Sequence, residues 1–220
     1  MKYELKHTAD GSFTIYIPEM QEQYHSMNGA VTESEHVFIK MGFEKHPSSS
    51  PVVFEVGFGT GLNALLTAAK AEIQMRPVTY IAIEKYPVET GLLNQLNYGK
   101  FIPKTGDAIF STLHQCEWNK PQQITPYFNL LKVKDDLINF KRLNEFQPDI
   151  VFFDAFGPDK QPEMWEQQVF SDIYRSIRDG GILVTYSAKG EVRRRLLTAG
   201  FLVEKLPGPP GKKEMLRAIK

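Results

Sequence analysis

The sequence predicts an α/β fold with a mostly parallel sheet of seven strands, covered by helices on both faces. Five short runs rich in Val, Ile, Leu and Phe alternate with helical patterns between residues 52 and 200. Near-continuous apolar runs of this length are typical of parallel strands that are buried on both sides. Hydrophobic residues make up 42% of the 220 residues, enough for a sizeable core. Two further strands follow, and we expect the last of them to run antiparallel.

The N-terminal segment is predicted to form a small hairpin and helix extension. Residues 3–17 favour two short strands around the turn pair Asp10-Gly11. A short helix follows within residues 20–44, with Ser34 or Thr32 as its cap. Its buried face would consist of Val37, Phe38 and Met41. The break HPSSSP then divides the chain into a hairpin and lid segment, 1–46, and a main domain, 47–220.

The main domain alternates strands and helices in a regular order. The predicted strands are VVFEV (52–56), VTYIAIE (78–84), FNLLKV (128–133), DIVFFDA (149–155), ILVTYSA (182–188), FLVEKL (201–206) and EMLRAIK (214–220). The predicted helices are LNALLTAAKAEI (62–73), TGLLNQLNYG (90–99), LINFKRLNEF (137–146), EMWEQQVFSDIYRSIRDG (163–180) and GEVRRRLLTAG (190–200). Residues 98–126 show no clear period, and we predict an insertion or long loop there.

Composition excludes several classes of protein. The single cysteine, Cys116, rules out a disulfide within the chain and leaves too few ligands for a Cys-based zinc site. The N-terminus has no apolar signal segment, and no run approaches the ~20 residues that span a bilayer. The five histidines are scattered, and no catalytic triad or paired carboxylates are visible. We therefore expect a cytoplasmic protein without a metal and without membrane association.

Three alternating glycines follow the first strand of the main domain, in the stretch FEVGFGTGLN. Gly57, Gly59 and Gly61 predict that a ligand lies close to the backbone, although a tight turn without a ligand would also use them. A dinucleotide fingerprint needs its third glycine where Leu62 stands, which disfavours an NAD-dependent dehydrogenase. Glu55 suits a positively charged amino-acid end. The pattern E-x-G-x-G-x-G resembles motif I of the Rossmann-like class I S-adenosylmethionine-dependent methyltransferases.

Acidic residues end the next two strands. Glu84 lies 23 residues beyond Gly61, where an acid can accept hydrogen bonds from ribose hydroxyls, although a surface acid is the alternative. The third strand ends in Asp135 and Asp136, where an acid could meet an adenine amino group or cap the following helix. Of these two we prefer Asp135 as the cofactor-binding residue.

The stretch DIVFFDAFGPDKQPEMW is predicted to supply the chemistry. Asp154 follows four apolar residues and should lie at the carboxyl end of the fourth strand, unless it is a helix cap or a surface acid. Methyltransferases that act on nitrogen often have an acid or amide here, followed by proline and an aromatic residue, and DAFGP resembles that arrangement. Asp154 would orient an amine and take its proton, while Phe156 packs on a base.

Several motifs together resemble one family, in order and spacing, from about residue 24 to residue 216. They are FEVGFGTGLN, IAIEKYP, FFDAFGPDKQPEMW, GEVRRRLLTAGF and GPPGKKEML, with the pre-motif segment YHSMNGAVTESEHVF. The family is the methyltransferase module of the bacterial enzymes that complete 5-methylaminomethyl-2-thiouridine at the tRNA wobble position (the MnmC N-terminal module, or stand-alone MnmD). The resemblance does not extend to residues 98–126, and Asn28-Gly29-Ala30 shifts the glycine of the family by one position.

The resemblance implies a reaction and its participants. An S-adenosylmethionine-dependent enzyme would methylate the 5-aminomethyl group of (2-thio)uridine 34 in tRNA. Tyr24 joins Glu55, the three glycines, Glu84 and Asp135 at the cofactor, while Asp154 and Phe156 are the catalytic residues. The bifunctional enzymes also carry a flavin-dependent oxidase module. Since 220 residues leave no room for it, we expect no FAD and no oxidase activity, with a separate FAD-dependent oxidase as a candidate partner in the pathway.

Charge is distributed unevenly along a chain with no net charge. Residues 1–40 hold six acids against three lysines, whereas residues 187–220 hold nine Lys and Arg against three Glu. The expected contacts to RNA are Lys160, Arg193, Arg194, Lys212 and Lys213. Lysine and arginine contacts to phosphate give salt-dependent affinity, although an exposed helix face would look the same.

Two other classes of function stay open from the sequence. A small-molecule methyltransferase, or an aminopropyltransferase of the spermidine-synthase type, would share the glycine loop and the acids at the strand ends. The arginine triplet 193–195 and the GKKEM segment favour the tRNA enzyme over these. An RNA-binding module without catalysis is disfavoured by the presence of Glu84 and Asp154.

Overall fold

A small antiparallel sheet opens the part of the chain that the computed structural model describes, residues 3–220. Its strands are β1 (Glu4–His7), β2 (Phe13–Ile17) and the two-residue β3 (Glu22–Gln23), in the order β1-β2-β3. β1 pairs antiparallel with β2, which confirms the hairpin predicted around Asp10-Gly11.

The helix that follows begins earlier than predicted. α1 (Ala30–Ser34) continues as a π-helical turn over Glu35–Lys40, followed by a 3-10 turn at Phe43–Lys45. The prediction that Ser34 or Thr32 caps this helix is wrong. The cap comes from the hairpin, because Thr32 donates its backbone N–H and its hydroxyl to Asp10 Oδ2, each at 2.9 Å. Val37 and Phe38 are buried as expected, and Met41 is half-buried.

The main domain consists of one sheet between two layers of helices. The strands are β4 (Val52–Val56), β5 (Val78–Glu84), β6 (Pro121–Thr125), β7 (Phe128–Lys134), β8 (Ile150–Phe153), β9 (Ile182–Thr185), β10 (Leu202–Pro207) and β11 (Glu214–Ile219). The helices are α2 (Leu62–Gln74), α3 (Thr90–Leu93), α4 (Gly106–Gln115), α5 (Leu143–Phe146), α6 (Gln167–Ser176) and α7 (Gly190–Ala199).

The sheet reverses its direction of growth at β4. The strand order is β10-β11-β9-β8-β4-β5-β7-β6. β4 pairs in parallel with β5 on one side and with β8 on the other, and parallel pairing continues to β7 and β9. β11 runs antiparallel to β9, which confirms the predicted orientation of the last strand. Ligands of such sheets bind beyond the carboxyl ends of the strands at the point of reversal, which here lies between β5, β4 and β8.

Two predictions about the sheet are wrong, and one segment accounts for both. The described part of the main sheet has eight strands instead of seven, and residues 98–126 contain β6 and α4 instead of a loop. β6 pairs antiparallel with β7 at the edge of the sheet and carries polar, mostly exposed residues, so it lacks the apolar signal of the other strands. Lys132 of β7 is buried and donates to Leu113 O at 2.8 Å and His114 O at 3.3 Å, near the end of α4.

Three predicted helices are shorter than their sequence patterns. Residues 90–99 form only α3 and a 3-10 turn at Tyr98–Phe101, and residues 137–146 form a 3-10 turn at Leu137–Asn139 followed by α5. Residues 163–180 form a 3-10 turn at Pro162–Trp165 followed by α6. α6 ends at Ser176 because Ile177 is extended and Arg178 N–H bonds to Pro148 O at 3.0 Å, ahead of β8.

Buried side chains form one cluster on each face of the sheet. One cluster joins α2 and α4 to the N-terminal segment, from which it includes Ile15 and Phe38. The other joins α5, α6 and α7 around Trp165, which is fully buried. The N-terminal segment therefore shares its core with the main sheet. Within residues 3–220 none of the helices combines the length and apolar character needed to cross a bilayer.

Replacement of Phe152 by Ala tests the packing between the sheet and the N-terminal segment. The ring is fully buried and lies 5.3 Å from the ring of Phe38 and 6.2 Å from that of Tyr80, between centroids. We expect Phe152→Ala to lower the free energy of unfolding by about 3–5 kcal/mol, measured by urea denaturation. The control Leu202→Ala, at a side chain that is 72% exposed on β10, should change it by less than about 0.5 kcal/mol. Equal losses for the two variants would contradict this packing.

Candidate active site

One cleft of about 730 Å³ opens at the carboxyl ends of β5, β4 and β8, where the sheet reverses. Its size lies within the range of ~300–1,000 Å³ that is usual for small-molecule sites. The N-terminal segment forms its opposite wall, with residues 20, 22–26 and 33 among its lining. The cleft is therefore built by both parts of the chain.

The cleft wall is strongly acidic. Its carboxyl groups belong to Glu22, Glu33, Glu84, Asp135, Asp136, Asp154 and Glu163, against the two lysines Lys85 and Lys212. Low-dielectric walls concentrate the field of such a group of charges, so the cleft favours a cationic ligand. Within residues 3–220 no three His, Cys, Asp or Glu side chains are grouped to hold a metal ion.

The glycine loop between β4 and α2 owes its glycines to neighbouring protein atoms. A Cβ on Gly57 would lie 3.0 Å from Asp154 O, and one on Gly59 would lie 3.2 Å from the ring of Tyr24. A Cβ on Gly61 would lie 3.0 Å from the ring of His114. All three residues also have positive φ, which disfavours a side chain. These neighbours require glycine by themselves, and since Gly57 and Gly59 also line the cleft, the close approach of a ligand to this loop stays a prediction.

Glu84 stands on the cleft wall at the end of β5, as the sequence suggested. Its Oε2 accepts the Gly59 N–H at 3.1 Å, and its Oε1 accepts the Tyr86 N–H at 2.9 Å. Burial raises the pKa of this carboxyl, while these backbone donors favour its charged form. The carboxylate is therefore fixed in orientation, and its remaining lone pairs can accept hydroxyl hydrogens from a ligand.

The two acids after β7 have different surroundings. Asp136 caps the 3-10 turn by accepting the Ile138 N–H at 3.1 Å, and it pairs with Lys85 Nζ at 2.8 Å. Asp135 accepts only the Asp136 N–H, at 2.7 Å, among the hydrogen bonds that the structure gives its side chain. Both line the cleft. Because Asp136 is already committed to the cap, Asp135 stays the predicted adenine-binding acid.

Asp154 reaches the cleft from the end of β8 and is held from behind by one amide. Asn63 Nδ2 donates to Asp154 Oδ2 at 2.8 Å and to Glu55 Oε1 at 3.0 Å. Burial raises the pKa of Asp154 well above its usual range, and the hydrogen bond from Asn63 opposes this rise. Burial, followed by the charge of Asp154, likewise raises the pKa of Glu55. Two desolvated carboxyl groups therefore share one amide beneath the cleft.

The position of Glu55 differs from the prediction. Its side chain is 1% exposed and lies below the cleft floor, outside the residues that line the cleft. This geometry gives it no open face toward a ligand. Glu55 therefore contacts Asn63 instead of making the direct cofactor contact that the sequence pattern suggested.

Aromatic rings close the cleft on the side of the N-terminal segment. The rings of Tyr24 and Phe156 meet edge to face with their centroids 5.0 Å apart. Phe156 is fixed by its backbone, because its N–H bonds to Gln161 Oε1 at 3.1 Å and its carbonyl accepts Trp165 Nε1 at 2.7 Å. Both rings line the cleft next to Asp154, where a planar ligand could pack.

Two of the lysines predicted to contact RNA, Lys212 and Lys160, have partners inside the protein. Lys212 lies in the cleft wall, pairs with Glu33 and lies 4.0 Å from the centroid of the Tyr186 ring. Lys160 Nζ donates to Met20 O at 2.7 Å and so ties the loop after β8 to the N-terminal segment. Neither ammonium group extends from the rim as a free phosphate contact would.

Arg193, Arg194 and Lys213 lie outside the cleft. Lys189 pairs with Asp159, which places the start of α7 beside the loop that follows β8. Arg194 and Lys213 are exposed, and Arg193 is half-buried. α7 therefore begins near the loop that follows Asp154 and carries one exposed and one half-buried arginine.

The cleft residues that sequence reasoning missed include Asn63, Glu33 and Tyr186. Asn63 lies in the first turn of α2, directly after the glycine loop. This position in the sequence could have indicated that Asn63 lies at the cleft. The pairing of Glu33 with Lys212 joins positions 179 residues apart, so no local pattern reveals it.

Comparison with known proteins places this cleft in context. A family model described as S-adenosyl-L-methionine-dependent methyltransferase matches residues 111–220, half of the chain. The tRNA 5-methylaminomethyl-2-thiouridine biosynthesis bifunctional protein MnmC of Campylobacter hominis is 31% identical over 211 residues, covering 93% of this chain and 31% of that protein. The crystal structure of MNMC2 from Aquifex aeolicus is 29% identical with a TM-score of 0.82, covering 99% of this chain and 70% of that one.

A more distant structure shares the fold alone. Spermidine synthase from Thermotoga maritima matches with a TM-score of 0.54 at 10% identity, over 99% of this chain and 78% of that chain. The chain described here spans about a third of the length of the MnmC relative. Together, the matches confirm the methyltransferase fold class and S-adenosyl-L-methionine as the cofactor.

Two substitutions at Glu84 test its predicted contact with the ribose of S-adenosylmethionine. Glu84→Ala removes acceptors that are fixed by two backbone N–H groups. We expect it to raise the dissociation constant of the cofactor about 10- to 100-fold, measured by isothermal titration calorimetry. Glu84→Gln keeps one acceptor oxygen and should lose less affinity than Glu84→Ala. Unchanged affinity in Glu84→Ala would remove Glu84 from the cofactor site.

Proposed function

The chain belongs to the S-adenosyl-L-methionine-dependent methyltransferase family, in the group of the MnmC methyltransferase module, and from this we propose that it methylates tRNA at the wobble uridine. The acceptor is the 5-aminomethyl group of (2-thio)uridine 34, and the product is 5-methylaminomethyl-2-thiouridine. The observation that supports this most directly is the Asp154 carboxyl on an acidic cleft wall beside two aromatic rings. An amine and a planar base suit these two features.

The residues of the cleft fit the cofactor. It supplies an activated methyl group on a sulfonium, and its positive charge suits the acidic wall. We propose that Glu84 binds the ribose, that Asp135 binds the adenine, and that the backbone of Gly57 and Gly59 lies along the nucleoside. Gly61 and Glu55 support the loop from below, where the structure places them outside the cleft lining.

Asp154 prepares the amine for attack. An alkylamine is mostly protonated at neutral pH, and only the neutral form has the lone pair that attacks a methyl group. The Asp154 carboxylate attracts the ammonium, orients it and accepts one proton. Phe156 and Tyr24 pack against the base, and the closed wall holds the nitrogen in line with the methyl group. The protein thus mainly positions the nucleophile and moves its proton.

The basic residues outside the cleft would bind the backbone of the anticodon loop. We propose that Arg193, Arg194 and Lys213 contact phosphates, since they lie outside the acidic cleft, and the helix α7 that carries the two arginines begins beside the loop after β8. Lys212 and Lys160 have partners inside the protein, so we do not assign them to phosphates. We assign Lys212 to the uracil ring of the substrate, and Lys160 to holding the N-terminal segment against the loop after β8. A small amine would not need a group of basic residues outside the cleft. Their presence favours tRNA as the substrate over the small amines that an aminopropyltransferase or a small-molecule methyltransferase would use.

The scope of the proposal is methyl transfer alone. We propose that these residues carry the methyl-transfer step, in the cytoplasm, and that an FAD-dependent oxidase acts in the same pathway. The N-terminal hairpin and lid, 1–46, and the catalytic region, 47–220, would act as one unit around the cleft.

The direct test is an assay on hypomodified tRNA. The protein is incubated with S-adenosylmethionine and tRNA that carries 5-aminomethyl-2-thiouridine, and the nucleosides are analysed by mass spectrometry. We expect a gain of one methyl group at that nucleoside. Asp154→Asn, which keeps the shape but cannot accept the proton, should reduce the rate about 10²- to 10⁴-fold while cofactor affinity stays within a few-fold. Methylation of putrescine or another free amine instead of tRNA would overturn the proposal.

A salt titration tests the RNA footprint. Arg193→Ala combined with Arg194→Ala should weaken tRNA binding and flatten the dependence of log K on log salt, by about 0.7 for each lost phosphate contact. The control removes two exposed arginines elsewhere, Arg142→Ala with Arg175→Ala, and should leave the slope near that of the wild type. Equal slopes for both double variants, measured by filter binding, would place the footprint on another surface.

A further inference from the structure

We propose that Asn63 is a positioning residue for methyl transfer, whose side-chain amide fixes the Asp154 carboxylate by bridging it to the buried carboxyl of Glu55. This inference rests on the proposed function for its chemical meaning, since it concerns the acid that receives the proton of the amine. Its geometry is independent of which amine is methylated.

The amide of Asn63 is fully used on its donor side. Asn63 is 2% exposed in the first turn of α2, and its Nδ2 has two hydrogens. One hydrogen bonds to Asp154 Oδ2 at 2.8 Å and the other to Glu55 Oε1 at 3.0 Å. The backbone carbonyl of Asn63 accepts the Thr67 hydroxyl at 2.7 Å, which holds this turn of the helix. Aspartate at this position would have no donor and would add a third carboxylate.

The bridge leaves one oxygen of Asp154 for the substrate. Oδ2 is occupied by Asn63, so Oδ1 is the oxygen that can face an amine in the cleft. The rotamer of a carboxylate held by one good hydrogen bond is restricted, and this orientation matters because the amine must also line up with the methyl group. Asn63 thus acts on the reaction through Asp154 without touching the substrate.

Of the two carboxyl groups that Asn63 bridges, Asp154 is the one that more readily holds the negative charge. Glu55 is 1% exposed, and its Oε2 has no hydrogen-bond partner among the described protein atoms. Asp154 opens to the cleft, so the negative charge is less costly there than on Glu55. The pair titrates as a unit because the two carboxyls share one amide. The other charged or titratable groups that act on Asp154 are Glu33 of α1, Tyr80 of β5, Tyr186 after β9 and Lys212 of the β10–β11 turn.

The proton balance of the step follows from this arrangement. The ammonium of the substrate gives one proton to Asp154 and becomes a neutral amine. The nitrogen then forms its bond to the methyl carbon as the sulfur–carbon bond breaks, which yields a secondary ammonium and a neutral thioether. Asp154 returns its proton to solvent before the next cycle. Asn63 favours the charged, proton-accepting form of Asp154 because it donates a hydrogen bond to it.

The test measures the protonation of Asp154 directly. In protein labelled with ¹³C at the Asp side-chain carboxyl, NMR titration gives the pKa of Asp154 in the wild type and in Asn63→Ala. Loss of the donor should raise this pKa, and Asn63→Ser, which keeps one donor, should lie between the two. Thr67→Val is the matched control one turn further along α2, because it removes a buried hydrogen bond of the same helix without touching Asp154.

Kinetics on tRNA give the second readout. Asn63→Ala should lower kcat about 10- to 100-fold with KM for tRNA and cofactor affinity within a few-fold. The acid limb of its pH–kcat profile should move to higher pH, because Asp154 holds its proton more tightly. Thr67→Val should leave that limb in place. An unmoved Asp154 pKa in both Asn63→Ala and Asn63→Ser would overturn the inference. Failure of the wild type to methylate tRNA, with the NMR shift present, would instead refute only the proposed substrate.

Discussion

The register of three adjacent parallel strands is the constraint on which the cleft depends. Gly57 N–H bonds to Ile83 O at 3.0 Å, and Asp154 N–H bonds to Val56 O at 3.1 Å. These two backbone bonds extend the β5–β4–β8 ladder by one step and bring the ends of the strands to the same level. Glu84, the glycine loop and Asp154 then surround a single space, although Gly57 and Asp154 lie 97 positions apart in the sequence. A slip of one residue in β8 would turn Asp154 to the other face of the sheet.

Desolvation of the carboxyl groups determines which ligand charge the cleft favours. Burial takes carboxyl groups at the ends of strands out of water, which raises the pKa of Asp154, Glu55 and Glu84. A cation entering the cleft offsets that cost, so ligand charge and site charge are complementary. The pairing of Lys212 with Glu33 neutralises one acid of the wall without an external ligand. Arg193, Arg194 and Lys213 lie outside the cleft lining, so under the proposed function they would contact a polyanion away from the acidic interior.

The sequence predicts those features that have a local cause. Strands β4, β5 and β7 were predicted nearly to the residue because their apolar runs end at Gly, Pro or acidic residues. β6 was missed because an edge strand with polar side chains has no such run, and its hydrogen bonds to β7 are invisible in a pattern of side chains. Glu84 and Asp154 were placed in the cleft because both end apolar strands. Glu55 was misplaced for a related reason, since an acid one residue before the end of a strand points toward the helix layer instead of the cleft.

The glycine loop shows that one sequence motif can serve the packing of the protein as well as the binding of a ligand. Three glycines were expected to make room for a ligand, and in the structure a side chain on any of them would also meet atoms of Asp154, Tyr24 or His114. Tyr24 and His25 come from the N-terminal segment, and His25 Nε2 bonds to Thr60 Oγ1 at 2.7 Å. The N-terminal segment therefore contacts one side of the loop, and its Glu33 also pairs with Lys212. Tyr24 and His25 thus contact the glycine loop across the sequence boundary at residue 46. Substitutions in the hairpin and lid should therefore alter cofactor binding through Gly59 and Thr60.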